Sequence, residues 1–178
     1  MKNYLLGRRC YVGGPIEHDT HAYDWRTEVK KKLVGEFGLK VFDPADDPKQ
    51  GLREKIVYCK EHSLWDELRE VVSEFVMADL SVVDHSDFII QHLPYKVPTT
   101  GTHHEIINAS NLKKPTLLVC PQGKKHIADW YFGFIKHEYM FGSWQELYAY
   151  LHEVAEGKHI ADRRWFFVYK YNDLAWIK

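Results

Sequence analysis

Short apolar runs that end in turn-forming residues recur along the chain and predict strands. Residues 9–12 run into two glycines and a proline, which is typical of a strand that ends in a tight turn. Residues 39–42, 88–90 and 116–120 have the same character, and each is followed by polar or breaker-rich sequence. These four segments are the predicted buried strands.

Between the strands, apolar residues recur at helical spacing. The predicted helices cover residues 25–37, 52–83, 102–111 and 145–154. Gly38 is a stop signal for the first helix, and a break is expected in the second near residues 62–63. Ser143 is the expected N-cap of the last helix, and Thr102 that of the third, with Glu105 three residues later as in a capping box.

Strands that alternate with helices indicate parallel pairing through right-handed crossovers. We therefore expect a doubly wound, flavodoxin-like α/β sheet of about five strands with helices on both faces, in a single domain over residues 1–178. Residues 124–178 would supply an aromatic-rich lid, a helix and a C-terminal arm. The aromatic stretch 128–142 could be that lid, an oligomer interface or a small satellite core, and residues 165–169 could be a closing strand or part of the arm.

Composition narrows the class of protein. With 24 basic and 25 acidic residues the net charge is -1, which favours neither a nucleic-acid polymer nor an anionic membrane as partner. No apolar run is long enough to span a membrane, and the start is too charged for a secretory signal, so a cytoplasmic protein is expected. The three cysteines are widely spaced and suggest no disulfide framework; Cys10 and Cys120 are expected to be buried on strands.

Three loops that follow predicted strands carry the candidate chemistry. They are residues 13–15, 98–105 and 121–125, and the carboxyl ends of parallel strands bring such loops to one edge of the sheet. The helix start at residues 100–102 offers free backbone amides to a hydroxyl or phosphate. Glu105 lies in the first turn of that helix, where it could face the cleft or simply complete a capping box.

Three segments in this order resemble the nucleoside 2-deoxyribosyltransferases and the related nucleotide N-glycosidases. They are YVGGP at residues 11–15, ADL at 78–80 followed by DHSDFII at 84–90, and GTHHEI at 101–106. The third fits a pattern of glycine, three variable residues, glutamate and an apolar residue. The resemblance covers roughly residues 9–119.

The resemblance implies a double displacement without a cofactor. Glu105 matches the nucleophilic glutamate that forms a covalent sugar ester, Tyr11 the tyrosine that orients this carboxylate, and Asp79 the aspartate that exchanges a proton with the leaving base. From the residues alone, Tyr11 could merely pack on its strand and Asp79 could be a solvated carboxylate near a helix end. Asp87 is expected to cap the turn before its strand.

One position expected to contact the substrate differs from the usual pattern of the family. Six residues before the nucleophile, typical transferases have an aspartate that holds the 5′-hydroxyl of the sugar, whereas this chain has Thr99. A neutral hydroxyl does not repel phosphate, so a nucleoside 5′-monophosphate becomes a plausible substrate and water a plausible acceptor. The expected substrate-binding residues are Gly13, Gly14, Pro15, Thr99, Thr100, Gly101 and Thr102.

The partners expected are a nucleoside or nucleotide, a nucleobase and a second copy of the chain. The family completes its site with a carboxy-terminal group from a neighbouring subunit, for which Tyr169, Tyr171 and Trp176 are candidates. A metal site is not expected, because the adjacent His103 and His104 point about 100° apart on a helix. Three alternatives stay open: a 5′-monophosphate N-glycosidase, a nucleotide sensor without turnover and, more remotely, a metal hydrolase.

Overall fold

A computed structural model describes residues 2–16, 22–46, 52–159 and 161–168 of the chain. The described strands are β1 (Arg9–Gly13), β2 (Lys40–Phe42), β3 (Phe88–His92), β4 (Thr116–Val119) and β5 (Met140–Phe141). The described α-helices are α1 (Ala22–Phe37), α2 (Leu52–Glu61), α3 (Trp65–His85), α4 (Thr100–Asn111), α5 (Asp129–Phe132) and α6 (Trp144–Glu156). Candidates Tyr169, Tyr171 and Trp176 lie outside the described residues.

The five strands form one parallel sheet in the order β2-β1-β3-β4-β5. Side chains along β1 alternate between its two faces: Cys10 and Val12 join the core beneath α1 and α6, while Tyr11 joins the cluster formed with α3 and α4. Helices therefore cover both faces, and the predicted flavodoxin-like fold is confirmed. No helix among the described residues is long and apolar enough to cross a membrane.

Several local predictions are confirmed. The long helical segment breaks between α2 and α3, α1 ends before Gly38, and Ser143 caps α6 by accepting a hydrogen bond from the Glu146 amide. Cys10, on β1, and Cys120 are both buried, although Cys120 directly follows β4 and is not part of the strand as expected. Asp87 makes a structural contact, but not the expected turn cap: its carboxylate accepts a hydrogen bond from the Arg9 amide at 2.7 Å at the start of β1.

Two local predictions were wrong in position. Helix α4 begins at Thr100 with Thr99 as its cap residue, two residues before the expected start, so Thr102 is not the N-cap and Glu105 completes no capping box. The fifth strand is β5, inside the aromatic stretch, where Tyr139, Met140 and Phe141 are buried core residues. Residues 165–168 lie in turns, and Trp165 is fully buried beside Tyr150.

Candidate active site

Tyr11 and Glu105 meet at the carboxyl edge of the sheet. The Tyr11 hydroxyl, on β1, donates a hydrogen bond to Oε1 of Glu105 in the second turn of α4 at 2.8 Å. The two side chains are 94 positions apart in the chain, and both are buried, at 1% and 8% exposure. The structure thus brings together the two residues that the sequence placed on a strand and a helix start.

A third residue, Gln91, which was not among the predicted site residues, completes this group. Its Nε2 donates a hydrogen bond to Oε2 of Glu105 at 3.0 Å, so each carboxylate oxygen has one donor. Gln91 lies opposite Gly13 in the β1–β3 register, and a Cβ at Gly13 would come within 2.6 Å of Glu105 Oε2 and still closer to Gln91 Oε1. Gly13 therefore leaves the space in which these two side chains meet.

The protonation of Glu105 is shifted by its burial. Desolvation raises the pKa of its carboxyl from 4.5 to about 7, against the opposing effect of hydrogen bonds from Tyr11 and Gln91. The negative charge of Asp79 adds to the rise, and the positive charge of Arg26 reduces it. Burial and the neighbouring Glu105 charge raise the pKa of the Tyr11 hydroxyl well above its ordinary value, so Tyr11 acts as a donor. A carboxylate poised near neutral pH in a buried site is typical of catalytic groups.

A cavity of about 300 Å³ opens beside this group. Tyr11 and Asp79 line it together with the end of β2 and the turn at Asp43–Asp46. Asp79, on α3, thus shares a cavity with Tyr11, whereas Glu105 is not among the described residues that line it. Its distance from Glu105 is short enough for its charge to affect the pKa of that residue.

Arg26 holds the loop after β1 in place. Its guanidinium, 3% exposed, donates to the carbonyl oxygens of Val12 at 3.2 Å and Gly14 at 2.8 Å, and pairs with Asp43 Oδ1 at 2.5 Å. The pair is buried on both sides and ties the loop after β1 to the turn after β2. Arg26 was not among the predicted site residues, because no motif surrounds it in the sequence.

The loop after β1 is closely packed. Gly14 leaves little room, since a Cβ there would lie 3.0 Å from atoms of Trp25 and His92, and Pro15 is buried. The backbone of this loop is therefore fixed by packing as well as by Arg26.

Comparison with solved structures identifies the architecture. A 2-deoxyribosyltransferase of the psychrotolerant bacterium Bacillus psychrosaccharolyticus superimposes with a TM-score of 0.54 at 18% identity, over 80% of this chain and 95% of that chain. A 2-deoxyribosyltransferase from Leishmania mexicana gives a TM-score of 0.50 at 18% identity, over 82% and 97%. This chain has the 2-deoxyribosyltransferase fold. By sequence, no protein-family model and no curated protein matches the chain.

In this 2-deoxyribosyltransferase fold the candidate site lies where ligands bind in doubly wound sheets. The chain leaves β1 toward α1 on one face and leaves β3 toward α4 on the other, so the winding reverses between these adjacent strands. Tyr11 and Gly13 from β1 and Gln91 from β3 lie at that point. The position of the site thus follows from the topology.

The threonine-rich start of α4 is close in sequence to Glu105 but differs in exposure. Thr100 and Gly101 are exposed, whereas Thr102 is 3% exposed and its hydroxyl accepts a hydrogen bond from that of Thr99. No side chain caps the helix at Thr99. Exposed backbone at the start of a 12-residue helix can receive an anion.

The histidines do not form a metal cluster within the described ranges. No group of three or more His, Cys, Asp or Glu side chains suited to a metal ion is found there. His103 contacts the Tyr131 hydroxyl, and partial burial lowers the pKa of its imidazole. His104 is exposed on the next position of α4. His18 and His21 lie outside the described residues.

Proposed function

We propose that this protein belongs to the nucleoside 2-deoxyribosyltransferase-like enzymes and transfers the sugar of a (deoxy)nucleoside from one base to another. The observation that carries the proposal is the buried Tyr11–Glu105 hydrogen bond, at the point where this fold binds ligands. A carboxylate held by a phenol in a largely desolvated cleft suits attack on a sugar carbon that develops positive charge. The likeness of fold to two 2-deoxyribosyltransferases supports the same substrate class.

In the proposed reaction Glu105 is the nucleophile. An oxygen of its carboxylate bonds to C1′ of the sugar while the C1′–N bond breaks, and the electron pair of that bond leaves with the base. Asp79, in the shared cavity, enters this step protonated and passes its proton to the departing nitrogen. A second base then attacks C1′, returns its proton to Asp79 and releases the Glu105 carboxylate. This two-step reaction needs no cofactor or metal.

A base-exchange assay tests this proposal. Deoxynucleosides incubated with a different free base should give the exchanged nucleoside with the wild-type protein, and Glu105→Gln should lower that rate by about a thousandfold or more. Glu70→Gln, an exposed carboxylate on α3, is the matched control and should leave the rate unchanged. Exchange that persists in Glu105→Gln would contradict the mechanism. Unaltered ligand binding with no turnover in either protein would favour a nucleotide sensor.

A second candidate function, 5′-monophosphate N-glycosidase, is favoured by the start of α4. Thr99 stands where an aspartate would oppose phosphate, and the adjacent Thr100 and Gly101 are exposed at a helix N-terminus. The same assay separates the two functions when it includes nucleoside 5′-monophosphates with and without an acceptor base. Sugar phosphate released into water at a rate independent of acceptor would indicate the hydrolase.

A further inference from the structure

Gln91 is an unusual residue for its position in the sheet. It lies on β3, between β1 and β4, and follows the fully buried residues Phe88, Ile89 and Ile90. Its own exposure is 0%. Buried parallel strands are normally apolar, because an amide loses its hydration there. The amide at this position therefore requires an explanation.

The side-chain amide of Gln91 donates a hydrogen bond to Glu105. Nε2 donates to Oε2 of Glu105, while Oε1 is buried with no hydrogen-bond partner among the described residues. An apolar residue of the same shape would avoid that unpaired acceptor. Because the amide oxygen has no partner while the amide nitrogen donates to Glu105, the place of Gln91 in the sheet is better explained by Glu105 than by stability.

The two oxygens of Glu105 have different surroundings. Oε2 faces Gln91 and the backbone of Gly13, which approaches so closely that a Cβ would lie 2.6 Å from it. Oε1 accepts from the hydroxyl of Tyr11, and Tyr11 lines the cavity that also contains Asp79. Gln91 and Gly13 are not among the described residues that line this cavity. Glu105 is not among those lining residues either, so its link to the cavity is the Tyr11 hydroxyl, and Oε1 is the oxygen bonded to that hydroxyl.

We propose that Gln91 is a positioning residue that decides which oxygen of Glu105 reacts: its amide holds Oε2 against the sheet, and Oε1 forms the bond to the sugar. This inference rests on the proposed function. To the proposed function it adds two points: the identity of the reacting oxygen, and the role of Gln91, which acts through Glu105.

The Gln91 hydrogen bond then has a different effect on each of the two half-reactions. In the first, Oε1 bonds to C1′, the base leaves with the C1′–N electron pair, and Oε2 becomes the carbonyl oxygen of the ester. In the second, the acceptor bonds to C1′, the C1′–Oε1 bond breaks, and its electron pair returns to the carboxylate. Hydrogen bonds to a full charge are stronger than those to a neutral carbonyl, so the Gln91 N–H favours the second step.

The same amide supports the ionised form of Glu105 before attack. The charged or titratable groups around Glu105 are Tyr11 from β1, Asp79 from α3 and Arg26 from α1. Of the groups that lower its pKa, Tyr11 and Gln91 act by hydrogen bonds. Removal of the Gln91 donor should therefore raise the Glu105 pKa further.

Gln91→Met tests the proposal, because Met has a similar shape and no amide. The acid limb of kcat/KM should move to higher pH by roughly one unit or more. At pH 9 the rate of the first release of base should stay within about threefold of the wild-type rate. The steady-state rate of base exchange should fall at least about tenfold. The sugar ester on Glu105 should accumulate, which intact-protein mass spectrometry detects. The thermal midpoint should not fall. Thr116→Val, which removes a buried hydroxyl from the neighbouring β4, is the control and should change none of these readouts.

A trapped ester identifies the reacting oxygen directly. A 2′-fluoro-2′-deoxynucleoside slows both steps, and a crystal structure of the esterified protein should show C1′ on Oε1 and Gln91 Nε2 within hydrogen-bond distance of Oε2. An ester through Oε2, or an unchanged pH profile in Gln91→Met, would overturn this inference while leaving the proposed function intact. Failure of wild-type exchange, or full activity of Glu105→Gln, would instead overturn the proposed function itself.

Discussion

Glu105 is a residue whose ionised form opposes folding. Its side chain is 8% exposed, and its carboxyl has a pKa of about 7 in the folded protein against an ordinary value of 4.5. The folded state therefore binds more protons than the unfolded state between these two values, and stability falls as the pH rises through that window. The loss is complete above about pH 7 and absent below about pH 4.5.

Glu105→Gln should consequently stabilise the protein at alkaline pH. A neutral amide avoids the desolvated charge, and it can accept from Tyr11 while donating to Oε1 of Gln91, the acceptor without a partner. We expect a gain in the free energy of unfolding of up to about 3 kcal/mol at pH 8, shrinking toward pH 5. Urea unfolding at pH 5, 6, 7 and 8 measures this difference.

The exposed Glu70→Gln variant is again the control and should show no such trend. A gain of equal size at every pH, or a loss of stability in Glu105→Gln at pH 8, would contradict the burial argument. This measurement requires no substrate, so its outcome is independent of the proposed reaction.

At the scale of elements, the close contact of β1, β3 and α4 depends on Gly13. It pairs with Gln91 in the β1–β3 register, and a Cβ there would overlap both Gln91 Oε1 and Glu105 Oε2. Gly13→Ala must therefore displace one of the two side chains on which the site depends. We expect at least about a hundredfold loss of base-exchange activity, with a destabilisation of about 1–3 kcal/mol from overpacking.

Gly35→Ala is the matched control for this change. Gly35 lies inside α1, and a Cβ there would meet no atom within 4 Å. Alanine has the higher helix propensity, so this variant should gain up to about 1 kcal/mol and keep full activity. Wild-type activity and stability in Gly13→Ala, measured beside this control, would show that the contact at β1 and β3 can relax.

The helices were predicted well where apolar residues recur at helical spacing over several turns. Apolar spacing identified α1 and the break between α2 and α3, because these segments contain several turns of helix. It missed β5, which has two residues inside an aromatic stretch and so shows no alternation. It also placed the start of α4 at Thr102, because hydroxyl residues at 99, 100 and 102 are all acceptable caps by composition.

The contact within the candidate site was predictable where motifs covered its residues, and the roles of those residues stay predictions. Tyr11 and Glu105 meet as the resemblance implied, but their partner Gln91 becomes apparent only once the β1–β3 register is known. One signal was present in the sequence: a glutamine directly after Phe88–Ile90 is a polar residue in a strand that should be buried. Arg26 gave no comparable signal, since its partners are backbone carbonyls and an aspartate 17 residues away.

At the scale of the whole molecule, one helix joins the cavity to an exposed apolar surface. Asp79 lines the cavity, and Val72 and Val76 precede it by seven and three residues on α3, which places all three on one side of the helix. Val72, Val76 and the adjacent Met77 are 37%, 38% and 68% exposed. We call these three residues the α3 apolar face. Contiguous exposed apolar side chains beside a site are typical of a subunit interface.

We therefore expect the protein to form a homodimer or larger assembly through the α3 apolar face. In light scattering, the wild type should have at least twice the chain mass of 21.1 kDa. Val76→Lys should reduce the measured mass to that of one chain, because an interface does not accommodate an unpaired buried charge. Val34→Lys, at a residue 48% exposed on α1 at the opposite face of the sheet, should leave the assembly unchanged. Val76 lies one turn from Asp79, so loss of the partner should also raise the KM for substrate. A wild-type monomer at micromolar concentration would show that α3 is exposed in solution and that the cavity is complete within one chain.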